Sequence, residues 1–165
     1  MKIDPFEKRI LFMTGKGGVG KTTVSAAMAY AAAKRGLNVC LIEVAQSSNM
    51  RFIFGMDIPV YKETQVEPNL TVLSLEPFQA LQEYVGLQLK IGFAAKLILN
   101  NRLLNYFLET APGWRELITV GKIWHVYDMK VGRPKRPRFD VIIVDSPATG
   151  HGLSFLRVPS VFMNI

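Results

Sequence analysis

Apolar positions fall in separate runs along the 165-residue chain, and their spacing alternates between the period of a strand and that of a helix. RILFMTG, from Arg9 to Gly15, is a short apolar run ended by glycine and reads as a strand. TTVSAAMAYAAAKRG, from Thr22 to Gly36, follows as an alanine-rich helix with Gly36 as its stop. LNVCLIEVA, from Leu37 to Ala45, is apolar on both faces, the pattern of a parallel strand covered by helices on each side. Strand, glycine loop, helix and strand make one βαβ unit. SNMRFIFGM then predicts a short helix, and a proline-punctuated stretch leads to NLTVLSL, Asn69 to Leu75, which alternates and is rich in strand formers.

From Pro77 to about Leu108 the period is helical, with Ala80, Tyr84, Leu87, Ile91 and Ala94 or Ala95 three or four residues apart. A second set, Val85, Leu89, Phe93 and Leu97, lies beside the first and makes the apolar face wide for a surface helix. Such a face suits either helices that cover the core of their own subdomain or the wall of an apolar groove. Another helix is expected over Gly113 to Met129, with Pro112 near its start. Last comes a fully apolar strand, Val141 to Val144, directly before Asp145. There is no internal repeat and no low-complexity tract. The expectation is one α/β domain over residues 1–165, three layers around a mostly parallel sheet, with a helical insertion at about 77–129.

Composition narrows the class. A chain of this length buries about two-thirds of its unfolded surface, enough for one core, and 49% hydrophobic with 20% charged residues is a globular balance. The most apolar region, Tyr84 to Leu99, is broken by Lys90 and Lys96 and falls short of the ~20 apolar residues of a membrane span. The N-terminal apolar run is too short for a signal peptide and lacks a small-residue cleavage site, so a cytoplasmic protein is expected. Cys40 is the single cysteine and lies in an apolar run, which reads as a buried strand residue and makes a thiol metal site within the chain improbable. The net charge of +7 is concentrated partly in KVGRPKRPRF, Lys130 to Phe139, expected as a solvated surface loop. That loop has little aromatic interleaving and no accompanying nucleic-acid motif, so no nucleic-acid partner is expected.

Chemistry enters with TGKGGVGKTT, Thr14 to Thr23. Gly15, Gly20, Lys21 and Thr22 fit G-x-x-x-x-G-K-[ST], and the match leaves a strand and opens a helix, the context that a phosphate-binding loop requires. Glycines 17, 18 and 20 let the backbone N–H groups of the loop, Val19 included, turn inward as an anion nest at the positive end of the helix. Lys21 would bridge β- and γ-phosphates, Thr22 would hold Mg²⁺ through its hydroxyl, and Thr23 would reach the α-phosphate. Asp145, at the tip of a buried strand, is the candidate to orient the waters of that ion; its simpler role would be a cap or turn residue. The following SPATGHG holds Gly150, suited to a loop that responds to a γ-phosphate, while His151 reads as structural. ATP and Mg²⁺ are the expected cofactors.

GKGGVGKTT resembles the deviant phosphate loop of the signal-recognition, MinD and BioD class of P-loop ATPases. DSPATGHGLSFLRVP is similar to the switch II segment of the arsenical-pump-driving and tail-anchored-protein-targeting ATPases. NLTVLSLEPFQALQEYV and APGWRELITVGKIWHVYD also resemble bacterial members, so the likeness extends over essentially the whole chain. It implies a P-loop NTPase fold and a homodimeric, Mg²⁺-dependent ATPase in which the extra lysine, Lys16, reaches the nucleotide of the other subunit. It also implies a hydrophobic client or a membrane-protein partner.

Two departures stand out. The resemblance places an aspartate that positions the attacking water soon after the second strand, and that position falls at Ala45 here. Glu43 points to the same side but lies two residues back, ~6.6 Å along a strand, and it matches better a carboxylate near magnesium in partition-type relatives. Slow hydrolysis is therefore expected unless Gln46, Ser47 or Ser48 takes over the water. The second departure is length: relatives continue past switch II, so the chain is expected to be an N-terminal portion or a reduced version with an incomplete sheet. Arsenite handling through cysteine triplets is disfavoured with Cys40 alone. A non-hydrolysing scaffold and a partition-type regulator acting through the basic loop are the competing functions.

Overall fold

The computed structural model describes residues 4–45, 48–89, 111 and 113–147. The expectations for Gln46, Ser47, Gly150, His151, Pro112 and the helical pattern from residue 90 onward lie outside the described residues.

The described strands are β1 (Ile10–Met13), β2 (Val39–Val44), β3 (Glu63–Glu67), β4 (Leu70–Leu75), β5 (Lys130–Val131), β6 (Arg136–Pro137) and β7 (Val141–Asp145). The helices are α1 (Lys21–Lys34), α2 (Met50–Phe54), α3 (Pro77–Leu89) and α4 (Trp114–Asp128). Five strands form one sheet in the order β1-β7-β2-β4-β3, parallel except for β3, which runs antiparallel to β4. The expected mostly parallel α/β architecture is what the chain adopts.

Strand parity explains the layers. On β2, Val39 and Leu41 join Val141, Ile143, Leu70 and Val72 on one face, where Ala26, Ala29, Ala32 and Ala33 of α1 and Met50 of α2 pack against them. The small alanines let α1 lie close to the sheet. Cys40 and Ile42 point the other way with Leu73, Leu75, Ile142 and Val144, under Ala80 of α3 and Ile123 and Val126 of α4. Each fully buried Leu or Ile contributes roughly 1.5–3 kcal/mol relative to exposure, so the doubly covered strands β2 and β7 carry much of the stability. Cys40 is buried, as its run predicts, and burial together with the charge of Glu63 pushes its thiol pKa up, away from reactive thiolate.

Helix ends follow local signals. Gly36 takes φ +84 just past α1, the left-handed conformation that releases the chain toward β2. Glu76 caps α3 by accepting from the Phe78 and Gln79 amides at 3.0 and 2.8 Å.

Two features differ from the sequence expectation. ETQVE, in the stretch read only as proline-punctuated, is strand β3, half-buried and held by its ladder to β4. The basic segment read as a plain loop forms a small hairpin, β5 with β6, whose strand residues are exposed as expected of a solvated segment.

On the far face, α3 and α4 flank a cavity of about 500 Å³ walled by Tyr84, Leu87, Leu117 and Ile118. Glu83 and Lys122 also line it, and Tyr61 and Lys122 both bond to the Glu83 carboxylate, Lys122 at 2.6 Å. Among the described residues no helix is long and apolar enough to cross a membrane.

Candidate functional site

The glycine loop leaves β1 and enters α1 through Gly20, which adopts φ +86 as the helix N-cap. Among the described residues no side chain caps this end, and its first turn holds no acidic residue, so its N–H groups and positive end stay available to an anion. Gly18 is also left-handed, at φ +76. A Cβ on Gly15 would lie 3.3 Å from the exposed Val19 side chain, a close approach that Val19 would have to yield to by a few tenths of an ångström. Lys21 folds back and donates to the Lys16 carbonyl at 3.0 Å, which lays its ammonium along the loop. Lys16, Gly17, Gly18, Val19, Gly20 and Thr23 are exposed, Thr22 half-buried.

β7 lies between β1 and β2, which brings Asp145 beside this helix. Asp145 is in register with Met13 on one side and Glu43 on the other. In parallel register the side chains of such partners share a face, here the one under α1. Asp145 is buried and accepts from the Ser25 hydroxyl at 3.2 Å through Oδ1.

Glu43 is buried too, and its carboxylate accepts from Ser48 Oγ at 2.8 Å and from the Asn49 amide at 2.9 Å. It thereby ties β2 to the segment that leads into α2. Ser74 continues the row on β4, buried, with no partner for its hydroxyl among the described residues. Ala45 follows β2, its amide bonded to the Leu75 carbonyl at 3.1 Å.

The structure thus brings the glycine loop, Lys21, Thr22, Asp145 and Glu43 to the C-terminal end of the parallel strands. Motif reading did not single out Ser25; its one signal is a serine among the alanines of a buried helix face. Among the described residues no three His, Cys, Asp or Glu side chains cluster as an all-protein metal cage. An uncapped helix end, a hydroxyl and a single carboxylate at its side fit instead a magnesium ion carried in with phosphates.

A strand, an anion-nesting glycine loop and an uncapped helix beside an acidic strand tip define the P-loop class of α/β nucleotide-binding proteins. Residues 8–165 match the family model for anion-transporting ATPases, and the chain belongs to that family. It is 30% identical over 155 residues to ATPase BagA of Mycobacterium tuberculosis, a match covering 91% of this chain and 45% of that protein. It is 30% identical over 150 residues to the arsenical pump-driving ATPase of Escherichia coli, covering 90% of this chain and 25% of the other. ATPase GET3 of Mycosarcoma maydis is 31% identical over 154 residues, with 92% and 42% covered. The chain spans less than half the length of these relatives.

Proposed function

We propose that the protein binds Mg·ATP at the loop from Gly15 to Thr23 and hydrolyses it slowly as a homodimer. The observation that supports this best is the uncapped α1 N-terminus opening directly from the glycine loop with the buried Asp145 alongside. In this reading the loop amides and Lys21 hold the phosphates, Thr23 reaches the α-phosphate, and Gly150 responds to the γ-phosphate. Thr22 and Asp145 hold the metal shell, with Glu43 as a further carboxylate beside it. Bound magnesium would neutralise charge on the β- and γ-oxygens. Lys16, exposed on the loop, would supply charge to the partner subunit's nucleotide.

The work driven belongs to the pump or protein-targeting kind, in the cytoplasm, with a hydrophobic client or membrane-protein partner. The apolar walls between α3 and α4 favour a client surface there. A second reading, an ATP-binding scaffold that does not turn over, is favoured by alanine at position 45. Steady-state Mg·ATP turnover, measured over a range of protein concentrations, tests both. Turnover rising faster than linearly, and lost in Lys16→Ala, is the expected result; no turnover with intact ATP binding supports the scaffold, and no ATP binding overturns the proposal.

A further inference from the structure

Ser25 is fully buried on α1, one turn past Lys21 and three residues past Thr22. Inside a helix, serine commonly bonds back to the carbonyl four residues earlier or faces solvent. This one reaches across to β7 and donates to Asp145 Oδ1 at 3.2 Å, 120 residues away in sequence. The remaining buried residues of α1 are alanines, Ala26, Ala29, Ala32 and Ala33. A hydroxyl on that face adds no apolar packing over alanine, so its bond to Asp145 is what distinguishes it.

The bond also links the right elements. Thr22 and Asp145 come from different parts of the chain, and the distance between them depends on how α1 sits over the tip of β7. Ser25 crosses that gap directly. The neighbouring serines act differently: Ser48, before α2, bonds Glu43, and Ser74, in the strand row, has no partner among the described residues.

We propose that Ser25 is a positioning residue for divalent-cation binding, holding the Asp145 carboxylate against the first turn of α1 so that it and the Thr22 hydroxyl meet one ion. This rests on the Mg·ATP reading above. Asp145 acts on the metal shell; Ser25 acts through Asp145. Because the acceptor is a buried carboxylate, losing the donor should weaken cation binding roughly tenfold.

The test is binding of a fluorescent ATP analogue to the protein, titrated with Mg²⁺ and repeated in EDTA. Ser25→Ala is expected to raise the half-saturating Mg²⁺ concentration roughly tenfold while affinity in EDTA is unchanged. Ser74→Ala, which removes a hydroxyl of the same row, is expected to match the parent. In an Asp145→Asn background Ser25→Ala should add nothing, since the two changes share one pathway. If Ser25→Ala loses its fold, Ser25→Cys keeps the volume with a weak donor and should show the same Mg²⁺ shift.

A parent-like Mg²⁺ dependence in the variant overturns the inference, as does an equal loss of affinity with and without Mg²⁺. So does a Ser25 effect that persists in full when Asp145 is replaced. If the parent itself binds the nucleotide without any Mg²⁺ dependence, the metal part of the proposed function fails first.

Discussion

Glu43 and Asp145 are register partners at the ends of adjacent parallel strands, both buried and both turned toward α1. Each is bound by a serine from outside the sheet, Glu43 by Ser48 and Asp145 by Ser25. Two carboxylates this close repel unless donors or cations face them. Ser48 and the Asn49 amide tie Glu43 to the segment entering α2, and Ser25 ties Asp145 to α1.

Ser48→Ala should destabilise the fold by about 1.5–3 kcal/mol, because it removes a hydrogen bond to a buried charged group. Urea denaturation of parent and variant measures this. A change confined to a few tenths would mean that the Asn49 amide alone satisfies Glu43.

Lys21→Ala should lower ATP affinity at every protein concentration, since its ammonium lies along the glycine loop, where the proposed function seats the phosphates. Equilibrium binding of ATP checks this, with thermal unfolding in the absence of nucleotide as control. The half-buried side chain makes a solvent-exposed bond to the loop, so its loss should leave the Tm of the free protein near that of the parent.

Ala45→Asp should raise turnover by about tenfold or more if a water-positioning carboxylate is what the site lacks. Initial rates under saturating Mg·ATP provide the readout. Ala45 is half-buried at the end of β2, and its backbone amide is already engaged, so the new side chain can be added without breaking the ladder.

Glu83 sets a pH dependence on the far face. Burial pushes its carboxyl up, but the bonds from Lys122 and Tyr61 outweigh burial and hold it below its ordinary value of 4.5. A depressed carboxylate stabilises the fold above the unfolded value and loses that contribution as pH falls through the folded one. Parent and Glu83→Gln should therefore differ by a constant stability above about pH 5.5, and the difference should shrink as pH falls from 4.5 through the lower folded value. Denaturation curves at stepped pH would expose a difference that does not close.

Local order determined much of this protein. The runs RILFMTG, LNVCLIEVA and VIIVD become β1, β2 and β7 because largely apolar runs fit the strands of a covered parallel sheet: β2 and β7 are buried, while β1, at the end of the described strand order, is half-buried. The glycine loop and its helix were equally legible, since φ +76 at Gly18 and +86 at Gly20 are properties of residues without a Cβ. Asp145 could be named for the same reason, as the polar end of an apolar run.

Tertiary structure alone decided what sits opposite what. ETQVE carries no apolar run and becomes a strand through its ladder to β4. Tyr61, Glu83 and Lys122 come from three separate segments and meet only when α3 and α4 pack together. The strand order that seats β7 between β1 and β2 places Asp145 beside Glu43 and under Ser25. Periodicity states which face of each element is apolar, whereas partners 120 residues apart are selected by the joint packing of all the elements, which no local window contains.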